Sequence, residues 1–334
     1  VAVWKTQQGT VNSGSGGNPP PQAVQQFIDT IQLQQGSTGI SNQSLGVTYD
    51  LTHTITLKNQ GNNFASKIKL WVAIIQHVWP YQIVVFFQTS PQTYRSVADE
   101  HGNLYALFEF VDVSPGEQVV VKLEYRVVVS SYESQLDTCQ GTLPKTHIKP
   151  EVFIEAGDPT VKELAKELSA GKTTVCQQSK AFYNYVVENL NYTSYQANDR
   201  GARLTLETSG GDCTDFTDLF IALNRASGIP ARFLEGITYQ TNGYYSPGQT
   251  KHDWAEVYLP GAGWVPVDPT WGKRVSQRTN YFGKMSPDHI IVTVGRSPSQ
   301  LQGYHYYYYE YWWNAAAGTT IAPDEHWYIT RIEQ

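Results

Sequence analysis

Positions Val47, Tyr49, Leu51, Ile55 and Leu57 are apolar, while Thr48, Asp50, Thr52, Thr54, Thr56 and Lys58 between them are polar. A period of two over this length predicts a strand with one buried face. Asn59-Gln60-Gly61-Asn62 supplies turn chemistry, after which Ile68, Leu70, Val72 and Ile74 repeat the alternation, so a hairpin is the simplest pairing. Further strands are expected over 83–87, over 104–110 after His101-Gly102-Asn103, and over 119–129 after Ser114-Pro115-Gly116. Short strands separated by regular turns predict an antiparallel β-sandwich over 38–130. Before it, Gly14-Ser15-Gly16-Gly17 and Pro19-Pro20-Pro21 mark residues 1–37 as an extended arm, with one or two helical turns over 23–33.

The period changes after Ser130. Asp158-Pro159 reads as an N-cap and first helical residue, with Val161, Leu164, Ala165 and Leu168 on one face and Gly171 past the end. A second helix is expected from about Thr174 through Phe182, Val186 and Leu190. A third places Phe216, Leu219, Phe220 and Leu223 at helical spacing, starts at Gly210-Gly211-Asp212-Cys213 and stops at Gly228-Ile229-Pro230. Strands resume over 231–239, 253–259 and 264–267, with later ones over 290–294 and 304–312. The fold class is α+β: a sandwich, then an α+β unit over 131–334.

A chain of 334 residues holds about two domains at roughly 150 residues each. Its 24 basic against 30 acidic residues give a net charge of −6 with no basic run, which excludes a phosphate backbone as partner, so no nucleic acid is expected. Aromatic residues at 13% beside 16% charged residues describe a folded, β-rich protein. The longest apolar stretch, 69–87, is interrupted by Gln76, His77, Pro80 and Gln82, so no transmembrane segment is expected. Val1 at the start, and Met285 as the single methionine, fit a removed signal peptide; the triplets Asn42-Gln43-Ser44 and Asn191-Tyr192-Thr193 are compatible with an extracellular or cell-surface location. Three cysteines, Cys139, Cys176 and Cys213, leave one free if two pair.

Cys213 stands at the first turn of its helix, where unpaired amides and the helix dipole favour thiolate. A nucleophile needs a base, and His252 opens the strand His252-Asp253-Trp254-Ala255-Glu256; the base needs an orienting acceptor, and Asp268 ends Gly263-Trp264-Val265-Pro266-Val267-Asp268. Each residue has an ordinary structural reading: a core cysteine, a structural histidine, a turn-forming aspartate. The glycines before Cys213 weigh against it, because they permit close backbone approach and leave N–H groups free for an anion, with Gly211 the nearest. Trp254, on the same strand face as His252, is a candidate wall or oxyanion donor as well as a core residue. Tyr304 to Trp313 could stack on sugars, although an aromatic strand buried on both sides is the stronger reading. The other histidines show no metal spacing, so neither metal nor cofactor is expected.

The blocks Gly210-Gly211-Asp212-Cys213-Thr214-Asp215-Phe216, then 219–232, His252-Asp253-Trp254-Ala255-Glu256-Val257-Tyr258 and Gly263-Trp264-Val265-Pro266-Val267-Asp268-Pro269-Thr270 together resemble the transglutaminase-like core superfamily, strongly over 158–271. The resemblance implies a papain-like Cys213–His252–Asp268 triad on a helix packed against an antiparallel sheet. It also implies attack of the thiolate on a carboxamide or peptide carbonyl, and a thioester resolved by a lysine amine or by water. Protein-glutamine transamidation is the leading expectation, with a cysteine protease or amidase as the alternative and a cell-surface structural or adhesive scaffold as a third. The expected partner is a protein or peptide substrate. With Cys213 catalytic in an exported chain, Cys139 and Cys176 are left to form a disulfide; two free thiols in a reducing compartment are the alternative. Trp254, Trp264 and Trp271 lie close in sequence to His252 and Asp268, and an apolar tunnel built from some of them would admit a lysine side chain while limiting water; tryptophans packed inward would instead leave an open groove suited to an extended peptide.

Overall fold

The computed structural model describes residues 46–136, 139–193, 195, 198–239, 244–245, 251–296, 308–315 and 317–332. The expected arm, the triplet at Asn42 and residues 304–307 of the aromatic strand lie outside them. Two sheets form the sandwich. One has the order β11 (Tyr244–Tyr245), β17 (Ile321–Ile332), β1 (Val47–Asn59), β6 (Gln118–Val129), β3 (Gln82–Ser90); the other runs β16 (Tyr309–Ala315), β2 (Ala65–Ile74), β5 (Leu104–Val113), β4 (Arg95–Ala98).

The alternation read from the sequence governs these sheets. Tyr49, Leu51, Ile55 and Leu57 of β1 meet Ile68, Leu70 and Val72 of β2 in one core. Each fully buried aliphatic side chain contributes about 1.5–3 kcal/mol. The pairing differs from the expected hairpin: β1 pairs antiparallel with β17 and β6, and β2 with β5 and β16. Both strands are one-faced, so the core is closed by placing them in opposite sheets, and the turn at 60–64 crosses between layers. At Gly61 a Cβ would overlap the backbone at Gly318 and Thr319, so the crossover packs too closely for a side chain.

The C-terminal strands return to the sandwich. β17 pairs along nearly the whole of β1, and β16 edges the second sheet, so a division at residue 130 does not separate the sandwich from the rest of the chain. The aromatic strand β16 is half-buried rather than covered on both sides. Tyr309, Tyr311 and Trp313 stack in a row against the core, and Trp312 faces out at 42% exposure.

Between these strands lies the helical unit, together with the two-residue strands β7 (Tyr132–Glu133), β8 (Asn191–Tyr192), β9 (Gly210–Gly211) and β14 (Lys284–Met285). Four helices, α1 (Pro159–Ser169), α2 (Val175–Asn189), α3 (Gly201–Thr208) and α4 (Cys213–Ala226), pack beside a four-stranded sheet ordered β13 (Gly263–Val267), β12 (Lys251–Leu259), β10 (Ala231–Thr238), β15 (His289–Val294). Asp158 caps α1 through the Thr160 and Val161 amides, and Thr174 caps α2. Helix α4 is the centre: Phe216 to Arg225 are all buried, because α1, α2 and α3 enclose the face that β10 and β12 do not. Cys139 and Cys176 are joined in a disulfide that ties residues before α1 to the first turn of α2, leaving Cys213 free. Among the described residues, no helix is long and apolar enough to cross a membrane.

Candidate active site

The start of α4 is fixed by a capping box. The Asp212 carboxylate accepts the Thr214 and Asp215 amides, and the Asp215 carboxylate accepts the Asp212 amide at 3.1 Å. This sets Cys213 as the first helical residue, half-buried, with the Asp253 amide directed at its sulfur. Cys213 thus meets the strand β12 one residue past His252. Thr214 reinforces the junction, its hydroxyl donating to Asp253 Oδ2 at 2.5 Å.

His252 is the second residue of β12 and Asp268 follows the last residue of β13, the neighbouring strand, which brings the two side chains together. His252 Nε2 donates to Asp268 Oδ2 at 2.7 Å, with the carboxylate fully buried. The other carboxylate oxygen accepts the amides of Thr270 and Trp271, both at 2.9 Å. Burial alone would raise this carboxyl, yet the His252 charge and the hydrogen bonds of His252 and His289 outweigh it and hold Asp268 well below the usual range.

The thiol behaves otherwise than the helix position predicts. Burial, then the Asp253 and Asp212 carboxylates, push Cys213 well above an ordinary cysteine, against the favourable Asp253 amide. The helix terminus supplies partial positive charge, but its own capping aspartate offsets much of that field.

Gly211, the expected anion pocket, has another task. It pairs in a short parallel bridge with Tyr192, and a Cβ there would overlap the Asp215 side chain. The glycine admits the capping box, and the adjacent Asp212 amide is taken by Asp215. Trp254 is buried at 1% exposure, its ring filling the space that Gly236 leaves beside His252 and His289. Trp271, half-buried, stacks on His252 with centroids 5.4 Å apart. Trp264 lies at the far end of the sheet, against Tyr258, His147 and Arg232. Of the three tryptophans, Trp254 packs inward, Trp271 covers His252 and Trp264 lies at the far end of the sheet.

Sequence reasoning missed His289. At the head of β15, its Nε2 approaches Asp268 Oδ2 at 3.3 Å and its Nδ1 meets Asp288 Oδ1 at 2.8 Å. The available signal was a polar pair, Asp288-His289, opening an otherwise apolar strand. The ligand atoms of His252, Asp268 and His289 lie within 4.8 Å of one another, the spacing of a metal site. The 2.7 Å separation of the first two fits a hydrogen bond, whereas donors bound to one tetrahedral ion at about 2.0–2.2 Å stand roughly 3.3 Å or more apart. The trio is a hydrogen-bonded chain.

Residues 162–269 match the transglutaminase-like superfamily. Over 132 residues the chain is 32% identical to an uncharacterized protein of Haemophilus influenzae, covering 33% of this chain and 36% of that protein. Over 129 residues it is 31% identical to the uncharacterized protein YebA of Bacillus subtilis, covering 34% of this chain and 17% of YebA. The chain thus matches about a third of the length of one relative and a sixth of the other. The fold is similar to the crystal structure of a candidate cysteine protease from Cytophaga hutchinsonii, with a TM-score of 0.63 at 17% identity over 88% of this chain and 93% of that one.

Proposed function

We propose, from the premise that residues 162–269 form a domain of the transglutaminase-like superfamily, that this chain performs thiol-dependent acyl transfer on amide groups of proteins or peptides. The observation that carries the reading is the convergence of three elements on one point. The first turn of α4 presents Cys213 to the Asp253 amide, and the next residue back along β12, His252, is held by Asp268 at 2.7 Å. In this reading His252 takes the thiol proton as the sulfur attacks the carbonyl carbon, then gives it to the departing nitrogen as the C–N bond breaks. The product is a Cys213 thioester and free ammonia or amine. Asp268 fixes the tautomer, since an Nε2–H bound to a carboxylate leaves Nδ1 as the basic nitrogen.

Water or a second amine then resolves the thioester. Glutamine transamidation calls for an apolar passage that limits water; Trp254 packed inward and Trp264 at the far end of the sheet support instead an open groove and hydrolysis. The likeness to a candidate cysteine protease in fold is compatible with this choice. An exported location is part of the proposal, supported by the Cys139–Cys176 disulfide. The test is one incubation with a glutamine-bearing peptide and a labelled primary amine, read by mass spectrometry. Deamidation or backbone cleavage outpacing amine incorporation is expected. Faster amine addition would restore transamidation, and no product with any amide would favour a scaffold role.

A further inference from the structure

The catalytic carboxylate expected from the sequence has one histidine partner, but the structure gives it two. We infer that His289 is a positioning residue for the triad: clamped between Asp288 and Asp268, it holds Asp268 ionised and aimed at His252, and its positive charge sets the pH range in which the Cys213–His252 pair is active. The inference rests on the acyl-transfer reading, because it assigns His289 a role through Asp268 rather than on substrate.

The geometry carries it. Both ring nitrogens of His289 face carboxylate oxygens, Nε2 at 3.3 Å from Asp268 and Nδ1 at 2.8 Å from Asp288. An ionised carboxylate only accepts and a neutral imidazole has one N–H, so satisfying both bonds requires the imidazolium. Burial pushes His289 down, but the hydrogen bonds and charges of Asp268 and Asp288 prevail and lift it to about 9. The ring is fully enclosed. Trp271 and Trp254 meet it edge-on at 4.5 and 5.1 Å, with Tyr281 tilted at 6.1 Å. Of the other titratable groups around it, Tyr281 is pushed up to about 12 and stays neutral, as does Tyr81 across the small gap beside it, whose hydroxyl is committed to Glu256. Among the described residues His252 also faces it, with ring centroids 5.8 Å apart.

The chain Asp288–His289–Asp268–His252 therefore alternates charge. A positive His289 this near favours negative charge on Cys213 over a second positive charge in the same site. Removing that charge while keeping a donor to Asp268 should move both macroscopic steps of the Cys213–His252 pair to higher pH, by about one unit or more for charges under 6 Å apart in a screened interior. A residue serving only as packing would leave these steps where they were.

The readout is the pH profile of Cys213 alkylation by iodoacetamide in the full-length protein, which needs no knowledge of substrate. Wild type, His289→Gln, His289→Asn and His252→Ala are compared, each first checked for cooperative unfolding. The expected result is an acidic limb present in wild type, abolished in His252→Ala and raised by about one pH unit in His289→Gln and in His289→Asn. If neither variant folds, the nitrogen chemical shifts of the His289 ring in wild type at neutral pH carry the test: both nitrogens protonated is expected, and a neutral ring overturns the role. A wild-type limb that neither variant moves overturns the role of His289 and leaves the triad standing. A profile identical in wild type and His252→Ala overturns the triad reading, and the inference with it.

Discussion

Replacing Asp268 with asparagine removes one charge and almost no volume, so its effect can be worked out from the hydrogen bonds it disturbs. The side chain is fully buried and accepts four N–H groups, from His252, His289, Thr270 and Trp271. An asparagine oxygen can keep the two backbone amides, which leaves its NH2 facing His252 Nε2. Two donors cannot share that bond, so His252 shifts its proton to Nδ1 and loses the nitrogen that would accept the thiol proton. By analogy with other triads this slows acylation by about 10²- to 10⁴-fold, equivalent to about 2.7–5.4 kcal/mol of barrier. Stability falls as well, because His289 loses one of its two counter-charges. Breaking a buried pair costs about 3–5 kcal/mol as an upper bound, and the retained Asp288 bond keeps the loss below that. The assay is single-turnover acylation of Cys213 by an activated peptide ester, followed by intact-protein mass, alongside thermal unfolding of both proteins. Acylation within about threefold of wild type, in a variant that unfolds cooperatively, would refute the assignment of Asp268.

Three further outcomes are expected. Asp253→Asn removes a carboxylate that pushes the thiol up, and asparagine can still accept the Thr214 hydroxyl, so Cys213 alkylation should shift to lower pH by about one unit; an unchanged midpoint contradicts the electrostatic account of the thiol. Gly211→Ala drives a Cβ into Asp215 and disrupts the capping box, for a loss of about 1–3 kcal/mol in denaturant unfolding, and a neutral substitution would return that glycine to an anion-binding role. His289 has its folded value raised to about 9 from an ordinary 6.5, so its contribution to stability is complete below pH 6.5 and is lost as pH rises toward 9. The melting temperature should therefore fall over that interval, and fall less in His289→Gln; parallel slopes would count against a buried imidazolium.

Much of this was legible in residue order because local signals and tertiary structure agreed. Asp158-Pro159, Thr174 and Asp212 each cap the helix that their chemistry predicts, and the strand alternation from Val47 to Leu57 names the core face. The gap in that alternation at His53 was legible only in space: the ring is buried against Trp327 and hydrogen-bonded to Glu325, whose other oxygen pairs with Lys251, the neighbour of His252. Strand β17 was missed for a related reason. Ile321, Trp327 and Ile329 keep the period of two, but Pro323 and Glu325 interrupt it in sequence, and its partners lie at the other end of the chain. Pairing is nonlocal, which is why a short turn at Asn59 suggested a hairpin where the chain changes sheets. At the site, Cys213, His252 and Asp268 sit near element boundaries inside blocks with local signals of their own. His289 also heads a strand, but its polar pair with Asp288 names no partner: nothing adjacent in sequence says that β15 stands one strand beyond β10, within reach of Asp268.

The central claim is that Cys213 becomes acylated with His252 as its base. The most direct measurement is peptide mapping of the wild-type protein quenched in acid during turnover of an activated peptide ester, beside Cys213→Ser and His252→Ala. The account predicts an acyl mass on the Cys213 peptide, released by hydroxylamine as a thioester, absent from Cys213→Ser and strongly reduced in His252→Ala. Acylation of another residue, or of Cys213 at the same rate without His252, would contradict it.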